Sequence, residues 1–212
     1  MKIVSVNVGQ PQPLVVNGGV VESGIVKRPV AGPVMVRRTN LEGDGQADLS
    51  VHGGLLKAVY AYSSEYYPLW SAELGEVDLP FGRFGENLTT AGMLDEDVLI
   101  GDRWQAGSAV LVVTQPRMPC FKFAAHLRRP DAGQLMVEGR RHGYYFSVAE
   151  EGNVRAGDEV RLLWRDPSSI SVAQTVSLYL GRSTDPELLR RAMSLEALPA
   201  GWRNKLAMRA GV

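Results

Sequence analysis

Short apolar or alternating runs, separated by glycine turns, dominate the first 165 or so residues. Ile3 to Val8 alternates apolar and polar side chains, the two-residue period of a half-buried strand. Val34-Met35-Val36 is a brief apolar run, and Ala58-Val59-Tyr60-Ala61-Tyr62 is aromatic and β-branched. Ala109 to Thr114 is continuously apolar and reads as a buried strand. Tyr144 to Ala149 and Glu159 to Trp164 complete the set. Ile100-Gly101-Asp102-Arg103-Trp104 and Ala156-Gly157-Asp158-Glu159-Val160 place Gly-Asp turns just before strands, glycine supplying positive φ and aspartate bonding the turn backbone. Many short strands with such turns predict a closed or nearly closed barrel.

Two helices interrupt this pattern. The first is expected over Tyr66 to Leu74, capped by Ser64, with Glu65 in its first turn and Pro68 near enough to the start to be tolerated. The second runs around Phe123 to Arg128, stopped by Pro130, with His126 on its surface. At Asp166-Pro167-Ser168-Ser169 the texture changes to three helical segments. Ser171 to Leu180 ends at Gly181. Asp185-Pro186-Glu187 gives a cap, a proline at the first helical position and an early acid, with Leu189, Ala192 and Met193 on one face. Pro199 to Arg209 leads with Trp202, Leu206 and Ala210 at four-residue spacing. About 45 residues in three short helices hold no large core alone. The expected fold is mostly β with α: a β-barrel domain over 1–165 and a small C-terminal three-helix module over 166–212, packed on the barrel.

Composition narrows the function classes. Lysine plus arginine and aspartate plus glutamate both number 23, so formal net charge is zero, which argues against a nucleic-acid binder. The adjacent pairs Arg37-Arg38, Arg128-Arg129, Arg140-Arg141 and Arg190-Arg191 read as solvated surface, although such a pair can hold a phosphate. No run approaches the ~20 apolar residues of a membrane span, and the N-terminal apolar run is too short for a signal peptide, so a cytoplasmic location is expected. One cysteine excludes an intrachain disulfide, an all-cysteine iron–sulfur cluster and a cysteine-rich structural zinc site within the chain. Neither the G-x-G-x-x-G nor the G-x-x-x-x-G-K-[ST] fingerprint occurs, so no flavin or other nucleotide cofactor is expected. Redox chemistry would therefore need another bound cofactor and a separate electron donor.

That cysteine sits in Gln115-Pro116-Arg117-Met118-Pro119-Cys120-Phe121-Lys122, directly after the buried strand. Two prolines restrict the loop, and Arg117 and Lys122 bring two positive charges near the sulfur, which stabilises a thiolate. A thiolate is a soft metal ligand and a good nucleophile; a lone cysteine is also commonly a small buried hydrophobe.

The motif resembles the signature of MOSC domains, related to the C-terminal part of molybdenum cofactor sulfurases. Gly43-Asp44-Gly45-Gln46-Ala47-Asp48 with Val51-His52-Gly53-Gly54, and Phe84-Gly85-Glu86-Asn87-Leu88-Thr89-Thr90, are similar to further hallmarks of that family, in the same order. The helical tail resembles the three-helix module of the YiiM-like subgroup, so the likeness spans essentially the whole chain. It implies a molybdenum cofactor, a molybdopterin, with Cys120 ligating the metal or carrying sulfur as a persulfide. It also implies reduction of small N-hydroxylated substrates such as hydroxylamino-purines, fed by an external electron-donor protein. Nothing resembles the fused pyridoxal phosphate domain of the sulfurases, so that cofactor is not expected. No nucleic-acid or membrane partner is expected; a homodimer is allowed.

The supporting loops can be read physically. Gly53 and Gly54 let backbone approach a ligand and offer N–H groups to an anion, while His52 can orient a substrate or supply a proton, or simply close a turn. Glu86 and Asn87 pair a carboxylate with an amide that can read a ring edge, with Glu86 a second proton source; alternatively Asn87 caps its own loop. By resemblance Lys27 is associated with the cofactor phosphate, and Gln115, Arg117 and Lys122 join the cofactor-binding set. His142-Gly143-Tyr144-Tyr145 is similar to a less constant family segment whose aromatics are expected to fill the barrel. Asp102 and Asp158 read as turn formers. Two further readings compete with a reductase. One is a carrier that holds sulfur or cofactor on Cys120 without turnover. The other is a Cys120–His52 hydrolase, disfavoured by the lack of a third partner and by flanking prolines unlike a helix-start nucleophile.

Overall fold

The computed structural model describes residues 1–49 and 52–211; Val51 of the His52 motif lies outside the described residues. Strand β1 (Lys2–Val8) is followed by β2 (Gln12–Val16), β3 (Gly19–Ser23), β4 (Arg28–Pro29) and β5 (Val34–Val36). Next come β6 (Val59–Ser63), α1 (Tyr67–Leu74), β7 (Leu88–Ala91), β8 (Arg103–Ala106) and β9 (Ala109–Pro116). The sheet region closes with α2 (Phe121–Leu127), α3 (Ala132–Glu138), β10 (Tyr144–Glu150), β11 (Gly152–Val154) and β12 (Val160–Trp164). The tail forms α4 (Val172–Leu180), α5 (Pro186–Ser194) and α6 (Ala200–Ala210).

The main sheet has eight strands in the order β12-β8-β9-β10-β6-β7-β1-β4. Every neighbouring pair is antiparallel except β6 and β7, which run parallel and are joined through α1. Where the sheet's ends approach, Lys2 bridges Glu159, and the Ile3 N–H donates to the Asp158 carbonyl at 2.9 Å. Among the described residues this contact is a single bridge rather than a continuous ladder. The architecture is therefore a β-rich mixed sheet with six helices; a fully laddered barrel goes beyond the pairing seen.

The core divides in two. Its larger part joins sheet residues such as Ile3, Val113 and Phe146 to Ile170, Val172, Leu178, Leu189 and Leu206 of the tail. The tail helices thus bury their apolar faces in the same core as the sheet, as expected for segments too short to hold one alone. The smaller part is largely aromatic, with Tyr62, Tyr67, Trp70, Phe84 and Phe123 in tilted or edge contacts. The tail's expected signals are present: Ser171 and Gln174 form a capping box, Asp185 accepts from the Glu187 N–H at 2.9 Å, and Gly181 is left-handed. Trp202 and Leu206 are buried, whereas Ala210 is exposed.

Several expectations are corrected. Ser64 does not cap α1: a 3-10 turn over Ser64–Tyr66 precedes the helix, and the Ser64 hydroxyl turns to Glu65. Glu65 is drawn away to accept the Gly92 N–H at 2.6 Å. Arg141 is not solvated surface but 2% exposed, its guanidinium 4.3 Å from the Trp70 ring centroid and paired with Glu73. His126 is half-buried and bonded to the Arg83 carbonyl at 3.1 Å; burial lowers its pKa to about 4. The β2–β3 hairpin and α3 were not expected. The hairpin had a signal in Asn17-Gly18, whose φ values of 50° and 81° suit a two-residue turn. Asp102 and Asp158 are turn acceptors as read, Asp102 for the Leu99 N–H and Asp158 for the Arg155 N–H.

Candidate functional site

Strand β9 delivers the cysteine loop. Tyr144 lies opposite Pro116 and Tyr145 opposite Gln115, and the pairing runs one step further as the Arg117 N–H donates to the Gly143 carbonyl at 3.0 Å. The His142 ring donates its Nδ1–H to the Arg117 carbonyl, 3.1 Å away. Asp95 holds the facing turn by accepting the His142 N–H at 2.7 Å and the Gly143 N–H at 3.2 Å. Burial lifts the Asp95 carboxyl to about 7 despite those donors. The loop is thus fixed by backbone on both sides before the chain turns into α2 at Cys120.

Cys120 occupies the N-cap position of α2, so the flanking prolines do not set it apart from helix-start thiols. Partial burial pushes the thiol up. A hydrogen bond with His52, the Arg117 charge and the Phe123 N–H outweigh that and bring it down to about 7. The sulfur faces a cavity of about 300 Å³, within the size range of small-molecule sites. The glycine-rich loops shape its wall. Gly53 has φ of 82°, and a Cβ at Gly24 would lie 2.2 Å from the Gly45 carbonyl oxygen, so side chains there would force the loops apart.

Eight of the ten residues singled out in the sequence line this cavity: Cys120, His52, Gly53, Lys27, Asn87, Gln115, Arg117 and Lys122. Several are already engaged within the fold. Lys27 pairs with Asp44, which also accepts the Gly9 N–H and the Asn87 amide, each at 2.9 Å. Burial lowers the Lys27 pKa, opposed by Asp44 and Glu86. Asn87 accepts the Tyr60 N–H at 3.1 Å, so both ends of its amide are held. Gln115 accepts the Trp202 indole N–H at 2.8 Å and donates to the Leu56 carbonyl at 3.3 Å. Lys122 donates to the Glu22 carbonyl at 2.8 Å.

Arg117 differs. Its side chain is 5% exposed, with the guanidinium 4.2 Å from the Phe123 ring centroid and 5.5 Å from that of Tyr60. Its contacts are Met136 sulfur and the Tyr145 hydroxyl; among the described residues it forms no ion pair with a carboxylate. Its charge is met by the Cys120 thiolate rather than by a carboxylate, and a buried guanidinium so lightly compensated is costly unless a further anion reaches it.

Gly54 and Glu86 do not line the cavity. Glu86 is fully buried behind its wall, accepting from the Tyr67 hydroxyl, the Thr89 hydroxyl at 2.8 Å, and the Gly82 and Phe84 N–H groups at 2.9 and 3.1 Å. Burial raises its pKa even so. Four donors make it the anchor of its loop, and the expected proton-source position is not where the structure puts it. Lys57, Tyr145, Tyr179 and Trp202 line the cavity without having been singled out. Tyr145 was expected to fill the core, a role that Tyr144 takes at 0% exposure. Strand alternation could have separated the two. No local signal marks Tyr179 or Trp202, which reach the cavity from the tail.

Comparison with known proteins agrees across the chain. The MOSC domain family matches residues 48–161, and the family described as "YiiM-like, 3-alpha helix domain" matches residues 170–209. YflK of Bacillus subtilis is 41% identical over 201 residues, covering 95% of this chain and 90% of its own. A Gibberella moniliformis protein named "Reductase" is 38% identical over 181 residues, covering 84% of this chain and 32% of its own. The crystal structure of YiiM from Geobacillus stearothermophilus superposes with a TM-score of 0.80 at 34% identity, covering 98% of both chains.

Proposed function

This chain belongs to the MOSC-domain family and carries the YiiM-like three-helix segment, and on that premise we propose that it binds a molybdenum–pterin cofactor beside Cys120 and reduces N-hydroxylated compounds. The observation that carries the reading is the pairing, on one cavity wall, of a thiol lowered to about 7 with the carboxylate-free guanidinium of Arg117. A soft thiolate suits molybdenum, and a buried cation awaiting an anion suits a phosphorylated pterin dithiolene. Among the described residues no group of three or more His, Cys, Asp or Glu side chains could hold a metal ion, so the remaining metal ligands have to arrive with the cofactor. The fungal relative named "Reductase" agrees with a redox role. In this reading the curled sheet is the family's barrel, residues 1–165 form the cofactor-binding unit and 166–212 the helical module.

Cys120 would hold the metal as a thiolate. Arg117, Lys57 and Lys122 would meet the anionic part of the cofactor, with the Gly53 backbone allowing close approach. Lys27 is the weaker phosphate partner because Asp44 already neutralises it. His52 stabilises the thiolate from the cavity wall and would relay a proton there; Glu86, behind the wall, takes no part. When bound, the cofactor supplies the two electrons that, with two protons, convert R–NHOH to R–NH2 and water. Those electrons come from an external donor protein.

Expression with molybdate followed by elemental analysis tests the reading, comparing the unaltered chain with Cys120→Ser. Near-stoichiometric molybdenum in the former and its loss in the latter are expected. Adding a hydroxylamino-purine and a chemical reductant then separates an enzyme from a carrier: molybdenum without amine formation would favour the carrier.

A further inference from the structure

Part of the cavity wall is built by the tail. Tyr179 of α4 and Trp202 of α6 both line the cavity, their ring centroids 4.3 Å apart and their planes inclined by 40°. Trp202 is fixed by a hydrogen bond, and Tyr179 is packed between Trp202 and a lysine ammonium. The Trp202 indole N–H donates to Gln115 Oε1 at 2.8 Å, two residues before Arg117 on the strand that presents the cysteine loop. Lys205 lies with Nζ 3.7 Å from the Tyr179 ring centroid. Trp202 is 9% exposed, so what it offers is confined to the cavity rather than spread over a surface. Its lone donor is satisfied, which leaves the π-face as its remaining chemistry. The wall contributed by the β-rich body is mixed: it presents sulfur, imidazole, guanidinium and ammonium groups beside the rings of Tyr60, Phe84 and Tyr145.

We infer that Tyr179 and Trp202 form a stacking surface for a planar, unsaturated ring on the substrate, and that the three-helix segment thereby sets specificity for N-hydroxylated bases over small aliphatic hydroxylamines. The inference rests on the reductase reading and deepens it. Stacking of a base on an aromatic side chain contributes ~1–3 kcal/mol, a factor of about 5 to 150 in binding. The two residues are specificity determinants, acting on the ring rather than at the N–O bond. The Trp202–Gln115 hydrogen bond also ties the stacking face to the strand leading to Cys120, so ring and sulfur are placed by one element.

The test compares kcat/KM for 6-hydroxylaminopurine with kcat/KM for N-methylhydroxylamine, using molybdate-grown protein and a chemical reductant. The ratio is expected to fall about tenfold in Trp202→Leu and severalfold in Tyr179→Leu, to be largely kept in Tyr179→Phe, and to fall less in Trp202→Phe than in Trp202→Leu, because phenylalanine retains a ring face but loses the Gln115 hydrogen bond. Molybdenum content, measured on the same samples, should not change. An unaltered ratio in the leucine variants, an equal loss on both compounds, or a parallel loss of molybdenum would each overturn the inference; the last would show that these rings grip the cofactor. If the unaltered protein reduces neither compound, the reductase reading fails by itself. Equilibrium dialysis of 6-hydroxylaminopurine against the protein then decides: weaker retention by Trp202→Leu upholds the stacking surface, and equal retention, or none by the unaltered chain, removes it.

Discussion

Glu86 and Arg117 are both charged side chains taken out of water beside a turn, and the fold treats them in opposite ways. Glu86 receives four hydrogen bonds, two from hydroxyls and two from backbone N–H groups, all within its own neighbourhood. Arg117 rests on aromatic rings, a thioether and a phenol, and forms no ion pair with a carboxylate among the described residues. The difference lies in where each points. Glu86 sits behind the cavity wall, where the chain itself has to satisfy it. Arg117 lines the cavity, where a ligand can. A buried charge whose bonding is complete within the chain is architecture, and one left incomplete at a cavity marks a place for something else.

Four substitutions distinguish a charge satisfied by the chain from one left for a ligand. Glu86→Ala strands several buried donors and should lower stability by about 3–5 kcal/mol in urea denaturation. A loss below about 1 kcal/mol would mean that the loop is held by something else. Lys27→Met removes the cation from the Asp44 pair, yet Asp44 keeps its Gly9 and Asn87 donors. A loss of about 2 kcal/mol is expected, less than the ~3–5 of a fully broken buried pair. Arg117→Met in cofactor-free protein should change stability by no more than about 1 kcal/mol in either direction, because it removes a buried charge that has no carboxylate partner and keeps apolar volume. The same variant should lose molybdenum, and a stability loss as large as that of Glu86→Ala would erase the contrast between the two residues.

His52→Ala should leave stability within about 0.5 kcal/mol, since His52 is partly exposed on the cavity wall. Its effect should appear in thiol chemistry. In cofactor-free, otherwise unaltered protein the alkylation rate of Cys120 should rise with pH through a midpoint of about 7, as the reactive thiolate replaces the thiol. Removing the His52 hydrogen bond should move that midpoint upward, so the rate at neutral pH falls. A profile that stays in place would assign the lowered value to Arg117 and the Phe123 N–H instead.

Much of the fold was legible because local signals and packing agree. The apolar run over 109–114 became the interior of β9, and the Asp185-Pro186-Glu187 signal became the start of α5. Where local chemistry had competitors, the prediction failed. Glu65 was taken up by Gly92, leaving Ser64 without its capping role, and the Arg140-Arg141 pair was split when Arg141 found Trp70 and Glu73. The cysteine loop was readable for the same local reason: prolines, flanking cations and one sulfur lie within eight residues. Residues joined only by long-range contact carried no such mark, which is why Tyr179 and Trp202 were passed over and Glu86 was assigned a reactive position it does not occupy.

Periodicity, turn chemistry and the motif around Cys120 are properties of neighbouring residues, so the order of amino acids alone was enough for a β-rich body, a helical tail and a thiol set in a stiff, positively charged loop. Which charges would find partners, and which rings would face open space, depended on residues as far apart as Gln115 and Trp202 or Lys27 and Asp44. Hydrogen bonds and ion pairs are short-ranged and directional, so they are settled only once the chain has brought their partners together, and that was left to the tertiary structure.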